Sequence, residues 1–441
     1  MLGLYALGSM LGAGIYGLVG QVAGLMGGAV WMSFVVAMCG ALLTGLAYAS
    51  LGARYPRAGG AAYIVGRAFR SRLLAYVVGL SVVGSGLASM AAGSHVVAGN
   101  IQALFGLQSV PELLFAIAYL AALAVLIWRG LRESMWFNAL ATFIEVGGLL
   151  LVIVVGARFW GQQDLTAIPS ASDWTTTMLI LAQGAVLSFF SFLGFEDALN
   201  VSEEVKNPAR NLPIGLITAM FAATLIYLGV AITAVSVVSP ATLAEAPAPL
   251  EAVMGKAAPW LPSLTYTIIT IFAVANTGLI NFVMASRLVF GLSRQGLLPK
   301  PLSRIHPKRG TPHISAIAVL VAASLLASAG DVSQLAAATV LLLLGVFILM
   351  DASAILLGRR ADEPLASFNV HPAIPAAGAL ICLGLLIVRA LTGDARAPTI
   401  AAVLIAMFTG LYFLTKSGHR PDADLVDENL PKNVGRDLVS D

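Results

Sequence analysis

Apolar runs of about twenty residues recur from one end of this chain to the other, and no other feature restricts its fold so strongly. Inside hydrocarbon every backbone N–H and C=O must find its partner within the segment, so such runs become helices. Composition removes the alternative. Only 11% of the 441 residues are charged, against about 25% in an ordinary soluble domain, too few to cover so much apolar side chain in water. The runs fall at 1–22, 28–51, 73–98, 113–130, 137–157 and 175–203, then at 214–238, 263–292, 313–330, 334–358, 373–391 and 398–416. The fold expected is an all-α polytopic membrane protein of twelve transmembrane helices.

Basic residues orient it. With the N-terminus inside, 21 of the 25 Lys and Arg fall in cytoplasmic segments and four in external ones. Both termini are therefore expected in the cytoplasm, with the protein multi-pass in the cytoplasmic (inner) membrane. The first run has no basic leading region and many equals after it, so it reads as a span and not as a cleaved signal. Met1 stands eleven residues before Gly12, about half of a ~30 Å core at 1.5 Å per residue, and a cytoplasmic lead-in ahead of it is expected. Residues 417–441 turn polar and acidic and read as a disordered tail.

A net charge of +3, dispersed along the chain, gives no basic face for nucleic acid. Cys39 and Cys382 sit inside apolar runs, where they form neither a metal-ligand cluster nor a disulfide framework. No Ser/His/Asp arrangement, phosphate loop or metal cluster is present, so no catalytic residue, metal or cofactor is expected, and a membrane enzyme or sensor is disfavoured.

Two spans are interrupted. Gly8, Gly12, Gly14, Gly17 and Gly20 crowd the first, and Ser188, Ser191, Gly194, Glu196, Asp197 and Asn200 break the apolar run of the sixth. First and sixth are the opening helices of two five-helix halves, the positions expected when inverted repeats build a transport core. A break in mid-membrane frees N–H groups at one half-helix start and C=O groups at the other half-helix end. The first favours an anion and the second a cation. Two such breaks side by side suit both ends of a zwitterion, and so an α-amino acid.

At these residues the chain resembles the amino acid–polyamine–organocation superfamily of permeases. The similarity rests on Gly12-Ala13-Gly14-Ile15-Tyr16 in the first helix and on Tyr55-Pro56-Arg57-Ala58-Gly59-Gly60-Ala61-Ala62-Tyr63 after the second. It continues with Phe192-Leu193-Gly194-Phe195-Glu196, then Glu203-Glu204-Val205-Lys206-Asn207-Pro208 and Leu212-Pro213, and with Ser286-Arg287-Leu288 before Gly296-Leu297-Leu298-Pro299. The resemblance implies a LeuT-type fold of 5+5 inverted repeats with two additional C-terminal helices. Residues 1–161 would hold helices one to five, with helix one broken near 12–14. Residues 175–358 would hold six to ten, with helix six broken near 191–196. The accessory helices would be 373–416, followed by the tail 417–441.

It implies further a substrate site at Met10, Gly12, Ala13, Gly14 and Ile15 of the first helix and Phe190, Ser191, Leu193 and Gly194 of the sixth. The amides of Gly12, Ala13 and Gly14 would receive the carboxylate, and the carbonyls of Met10, Phe190 and Leu193 the ammonium. Phe190 would close over the substrate, with Phe189 and Phe192 as neighbours able to take that role. Gating would involve Phe190, Glu196 and Asp197, with Glu203, Glu204, Lys206 and Arg210 pairing with Arg54 or Arg57 at the inner mouth.

An ionisable group deep in a bilayer is costly and marks an ion or proton path. Glu145, in Ala141-Thr142-Phe143-Ile144-Glu145-Val146-Gly147-Gly148, has apolar neighbours and no base along its helix. By resemblance it stands where some proton-coupled relatives carry a lysine and others bind sodium. The expected coupling ion is H⁺ carried by Glu145, with Asn276 and Thr277 as polar neighbours; a permanently hydrogen-bonded acid and a Na⁺ ligand are the alternatives. Asp351, two turns before Arg359-Arg360, reads as a structural partner. His95 and Asn100 could line the cavity, with packing the plainer role. The function expected is secondary active transport of an amino acid by alternating access, as proton symport; an amine or polyamine exchanger is the alternative. The small residues around Gly12-Ala13-Gly14 favour neutral cargo. Oligomeric state is not legible.

Overall fold

The computed structural model describes residues 2–56, 60–129, 131–169, 173–200, 202, 205–294, 298–306, 311–361, 363–364, 368–392 and 394–415, with side chains 129, 131–139, 200 and 415 left aside. All regular structure among them is helical. The first half comprises α1 (Leu2–Met10), α2 (Ala13–Met26), α3 (Val30–Arg54), α4 (Gly60–Phe69), α5 (Arg72–Phe105), α6 (Glu112–Arg129) and α7 (Leu131–Gly156). Then come α8 (Trp174–Phe192), α9 (Asp197–Asn200), α10 (Pro208–Val237), α11 (Pro240–Glu245), α12 (Pro249–Ala257) and α13 (Ser263–Arg294). The chain continues through α14 (His313–Ala327), α15 (Val332–Gly358), α16 (Ala373–Leu391) and α17 (Arg396–Thr415).

Nine helical stretches among the described residues are long and apolar enough to cross a membrane, α2 to α3 running as one, and the apolar helices Glu112–Trp128 and His313–Ala327 are shorter. Burial sorts them. The apolar window of α5 is 72% buried, whereas those of α16 and α17 are 22% buried and mark the periphery. The central place of α5 follows from its residues: Gly79, Ser81, Gly84, Ser85, Gly86, Ala88, Ala91, Ala92 and Gly93 are small and buried. In a membrane bundle small side chains let neighbouring backbones approach and gain dispersion contact. α13, α14 and α15 pack on this helix.

Three short helices occupy stretches that read from the sequence as connections. α11 and α12 each begin with a proline, which suits a first turn because its missing N–H has no partner there. Ser239 caps α11 by accepting from the Thr242 amide. In α12 the buried Leu250, Val253, Met254 and Ala257 recur at helical spacing. α4 is likewise amphipathic, burying Ala61, Ile64, Val65 and Ala68. Helices of about two to three turns are too short to stand out as spans of twenty.

Gly20 seats α11 on α2. A Cβ there would land on the carbonyl oxygen of Leu243, whereas one at Gly147 of α7 would meet nothing within 4 Å. Gly20→Ala should cost about 1–3 kcal/mol by overpacking and lower the melting temperature in detergent, while Gly147→Ala should not. Equal melting temperatures for the two variants would contradict this packing.

Candidate substrate site between two broken helices

The first span breaks where glycine removes any local cap. α1 stops at Met10, and the first backbone bond of α2 runs from the Tyr16 amide to the Gly12 carbonyl at 3.4 Å. Gly12 offers no capping side chain, so the amides of Ala13, Gly14 and Ile15 open α2 without one. The non-helical residues are Leu11 and Gly12, slightly before the expected 12–14. α8 ends at Phe192, its last turn tightened by a Leu193 N–H to Phe190 carbonyl bond of 3.3 Å. The chain then turns at Gly194, whose φ of +116° disfavours any side chain, before α9 starts at Asp197. The second break is therefore 193–196, inside the expected 191–196.

The two breaks lie against each other. A Cβ on Gly14 would come 2.5 Å from the Ser191 Cα, and one on Gly194 would come 2.5 Å from the Ser9 carbonyl oxygen. Both neighbours are backbone and cannot swing aside. From α10, the Tyr227 hydroxyl reaches between them, 2.7 Å from the Met10 carbonyl and 2.7 Å from the Ser191 carbonyl. Its single proton is shared between two carbonyls that the breaks leave outside the regular helical pattern. Ser9 donates to Asp197 Oδ2 at 2.7 Å, and the Gly194 amide donates to Glu196 Oε2 at 2.8 Å.

Beside the breaks a cleft encloses about 400 Å³ of empty space, part of it open to solvent. Met10, Ala13, Gly14, Phe190, Leu193, Gly194, Glu196 and Asp197 line it. The opposite wall is small and uncharged: Ser85, Gly86 and Ser89 of α5, Thr277 and Asn281 of α13, and Thr339 with Leu343 of α15. Asn281 donates to Ser89 Oγ at 3.2 Å. Three residues expected at the site stand behind this lining. Gly12 is covered by Thr277, Ile15 is fully buried in the core, and Ser191 backs onto Gly14. Among the three phenylalanines Phe190 faces the cleft; Phe189 packs on Phe347 and Phe192 edge-on against Tyr227.

Glu145 is fully buried. Its Oε2 accepts from Asn276 Nδ2 at 3.4 Å, and the same amide reaches the Gly8 carbonyl at 3.2 Å and Thr142 Oγ1 at 3.0 Å. One amide thus joins the acid of α7 to α1 just ahead of its break. Oε1 of Glu145 has no hydrogen-bond partner among the described residues. Thr277 lies elsewhere, donating to the Leu11 carbonyl at 3.1 Å within the break.

At the α4 end of the bundle the described residues include only part of the pairing expected at the inner mouth. Arg54 donates to the Leu357 carbonyl at 2.9 Å, closing the end of α15. Arg57, Glu203 and Glu204 lie outside the described residues. Glu363 is the acid that gathers partners here, accepting from Tyr55 Oη and Arg67 Nε at 2.8 Å each. Burial, reinforced by that carboxylate, pushes the Tyr55 hydroxyl up to about 12. Arg360 donates to the carbonyls of Arg67 and Ala68 at 3.1 and 2.6 Å, capping α4. Asp351 therefore does not partner Arg360; it accepts from Thr44 Oγ1 at 2.9 Å. His95 is held by Glu112 and the Ala327 carbonyl, and Asn100 bonds back to Val96 in its own helix, so neither lines the cleft.

Sequence reasoning missed Tyr227, Ser9 and Thr142. A lone tyrosine inside the apolar run of α10 was the available signal, since a buried phenol needs a partner. Nothing local says that the partners lie 217 and 36 residues away.

Apolar helices broken against each other around a small polar cleft are an arrangement suited to a membrane transporter. Residues 4–414 match the Amino acid permease family, and the chain belongs to it. It is 27% identical over 450 residues to the branched-chain amino acid permease BcaP of Bacillus subtilis, covering 94% of this chain and 92% of that one. It is 31% identical over 326 residues to cationic amino acid transporter 9 of Arabidopsis thaliana, covering 69% of this chain and 56% of that protein. The methylthioribose transporter of Bacillus subtilis is 27% identical over 413 residues, with 86% and 85% covered.

Tyr227→Phe should lower stability by about 1–3 kcal/mol, because buried carbonyls lose their donor. Tyr266→Phe removes a buried hydroxyl that has no partner among the described residues and should leave stability unchanged or raised. Thermal unfolding in detergent checks the pair; equal losses would contradict the bridging role of Tyr227.

Proposed function

We propose that this chain is a secondary active transporter that moves a neutral α-amino acid by alternating access, as proton-coupled symport. The observation that carries the proposal is the abutment of the two breaks. The α2 amides at Ala13 and Gly14 open beside the α8 carbonyl end at the mouth of one cleft. Helix dipoles there favour a carboxylate at the first and an ammonium at the second. Leu193 offers its carbonyl for the ammonium, while those of Met10 and Phe190 already accept hydrogen bonds from Tyr227 and Leu193. The uncharged far wall suits a neutral side chain.

The architecture proposed with it is twelve spans in the cytoplasmic membrane with both termini inside. Residues 1–161 and 175–358 would form inverted five-helix repeats, and 373–416 accessory helices. Phe190, Glu196 and Asp197 would gate the cleft. Glu145 would carry the proton: an ionised carboxylate with one unpaired oxygen is costly in this interior, and Asn276 links its state to α1.

A second reading, exchange of amines or polyamines, is favoured by the two carboxyl groups lining the cleft. Ser9 and the Gly194 amide already engage them, which supports the amino acid.

Proteoliposome uptake tests the proposal. Each pH unit stores about 1.4 kcal/mol, enough for about tenfold accumulation at one proton per substrate. Wild type should accumulate substrate when the outside is acid. Glu145→Gln should lose that accumulation yet still exchange labelled for unlabelled substrate. An unchanged response to the gradient in Glu145→Gln would refute the role of Glu145.

A further inference from the structure

The wall of the cleft opposite the two breaks carries polar groups that are not all in use. Along α5, Ser85 and Ser89 stand one turn apart; along α13, Thr277 and Asn281 do the same. All four line the cleft.

A hydroxyl inside an apolar helix has an easy partner in the carbonyl three or four residues back. Most hydroxyls in this part of the bundle take it. Ser85 donates to the Val82 carbonyl at 2.8 Å, and Ser94, farther along α5, to the Ala91 carbonyl at 2.7 Å. Thr339 of α15 donates to the Leu335 carbonyl at 2.9 Å. Thr277 instead closes on the first break through the Leu11 carbonyl. Each of these protons is spent within the protein.

Ser89 is the exception. Its Oγ accepts from Asn281 Nδ2 at 3.2 Å, and its own proton goes to no other group among the described residues. Asn281 spends one N–H in that bond, and its Oδ1 accepts from no described residue. The Asn281 side chain lies beside Gly86 of α5, where a Cβ would come 3.6 Å from Oδ1. Ser89 and Asn281 are both partly exposed, whereas Ser85, Thr339 and Leu343 on the same wall are buried. One donor and one acceptor, the Ser89 O–H and Asn281 Oδ1, are therefore left side by side at the cleft.

We propose that Ser89 and Asn281 read the substrate's side chain, and that the cargo carries an uncharged group that both accepts and donates, a hydroxyl or a carboxamide. The inference rests on the reading of the cleft as an amino acid site and narrows its cargo from neutral to polar neutral. The Ser89 hydroxyl donates to the substrate oxygen, and Asn281 Oδ1 accepts from the substrate O–H or N–H. The residues that α5, α13 and α15 bring to this wall are uncharged, so a charged side chain would find no counter-ion among them. An aliphatic side chain would leave the donor and the acceptor without partners once the cleft closes on it. A pocket that only fits a shape separates isosteres poorly, whereas one that hydrogen-bonds its substrate rejects the analogue lacking that group.

Threonine and valine have nearly the same shape, as do asparagine and leucine, so these pairs test the inference without a change of size. Equilibrium binding of the four radiolabelled amino acids to the purified protein should show threonine or asparagine held at least ~tenfold more tightly than its apolar partner. Ser89→Ala and Asn281→Leu should each bring that ratio close to one by weakening the polar member. A wild-type ratio near one for both pairs, or a ratio that survives both substitutions, overturns the proposal. So does an equal loss for all four amino acids in Ser89→Ala, the result expected if the pair only ties α5 to α13. Should Asn281→Leu fail to fold, the wild-type ratio and Ser89→Ala decide. If none of the four binds, or each binds no better than its decarboxylated amine, the amino acid reading falls and this inference with it. Amino acids that bind better than their amines yet show no polar preference overturn this inference alone.

Discussion

Everything in this bundle depends on two helices being interrupted where water cannot repair them. A backbone group left unpaired in such an interior costs about 1–3 kcal/mol, and breaks of this kind survive only where protein or a cavity satisfies them. Here each break is answered by the other. Gly14 and Gly194 let the two strands of irregular backbone touch, and one tyrosine hydroxyl serves a carbonyl on both sides. Ala13 and Gly14 at the start of α2, and Leu193 after α8, line the cleft.

The acids divide along the same principle. Glu363, near the bundle end, accepts from Tyr55 and Arg67 through Oε2 and lies 3.9 Å from Arg360 through Oε1, an arrangement that fastens the segment after α15 to the ends of α3 and α4. Glu145 and Asp351 are each held by one donor through one oxygen, the other having no partner among the described residues. An anion would be poorly served in either place, and a neutral acid is tolerated.

Much of this was legible in the sequence, because membrane burial writes long signals. Spans of twenty apolar residues stand out in any window, and the interruptions at Gly12 and Gly194 stand out against them. Glu145 was conspicuous as a lone charge, and Asn276 was a plausible neighbour that the structure brings to it. The failures share one cause. Tyr227, the Thr277–Leu11 bond, Arg54 on Leu357 and Thr44 on Asp351 all join segments far apart in the chain, and helical periodicity says nothing about which faces meet. Arg360 illustrates this: two turns from Asp351 in sequence, it turns away to cap α4. The short helices α4, α11 and α12 escaped because their apolar faces are narrower than a span.

The central claim is that backbone at the two breaks holds both ends of a zwitterion. Competition for binding measures it directly, by displacing a labelled amino acid from the purified protein with its decarboxylated amine, its methyl ester and its N-acetyl derivative. The account predicts that only the free amino acid competes at comparable concentration, because each derivative lacks one end. Equal competition by the decarboxylated amine would contradict it.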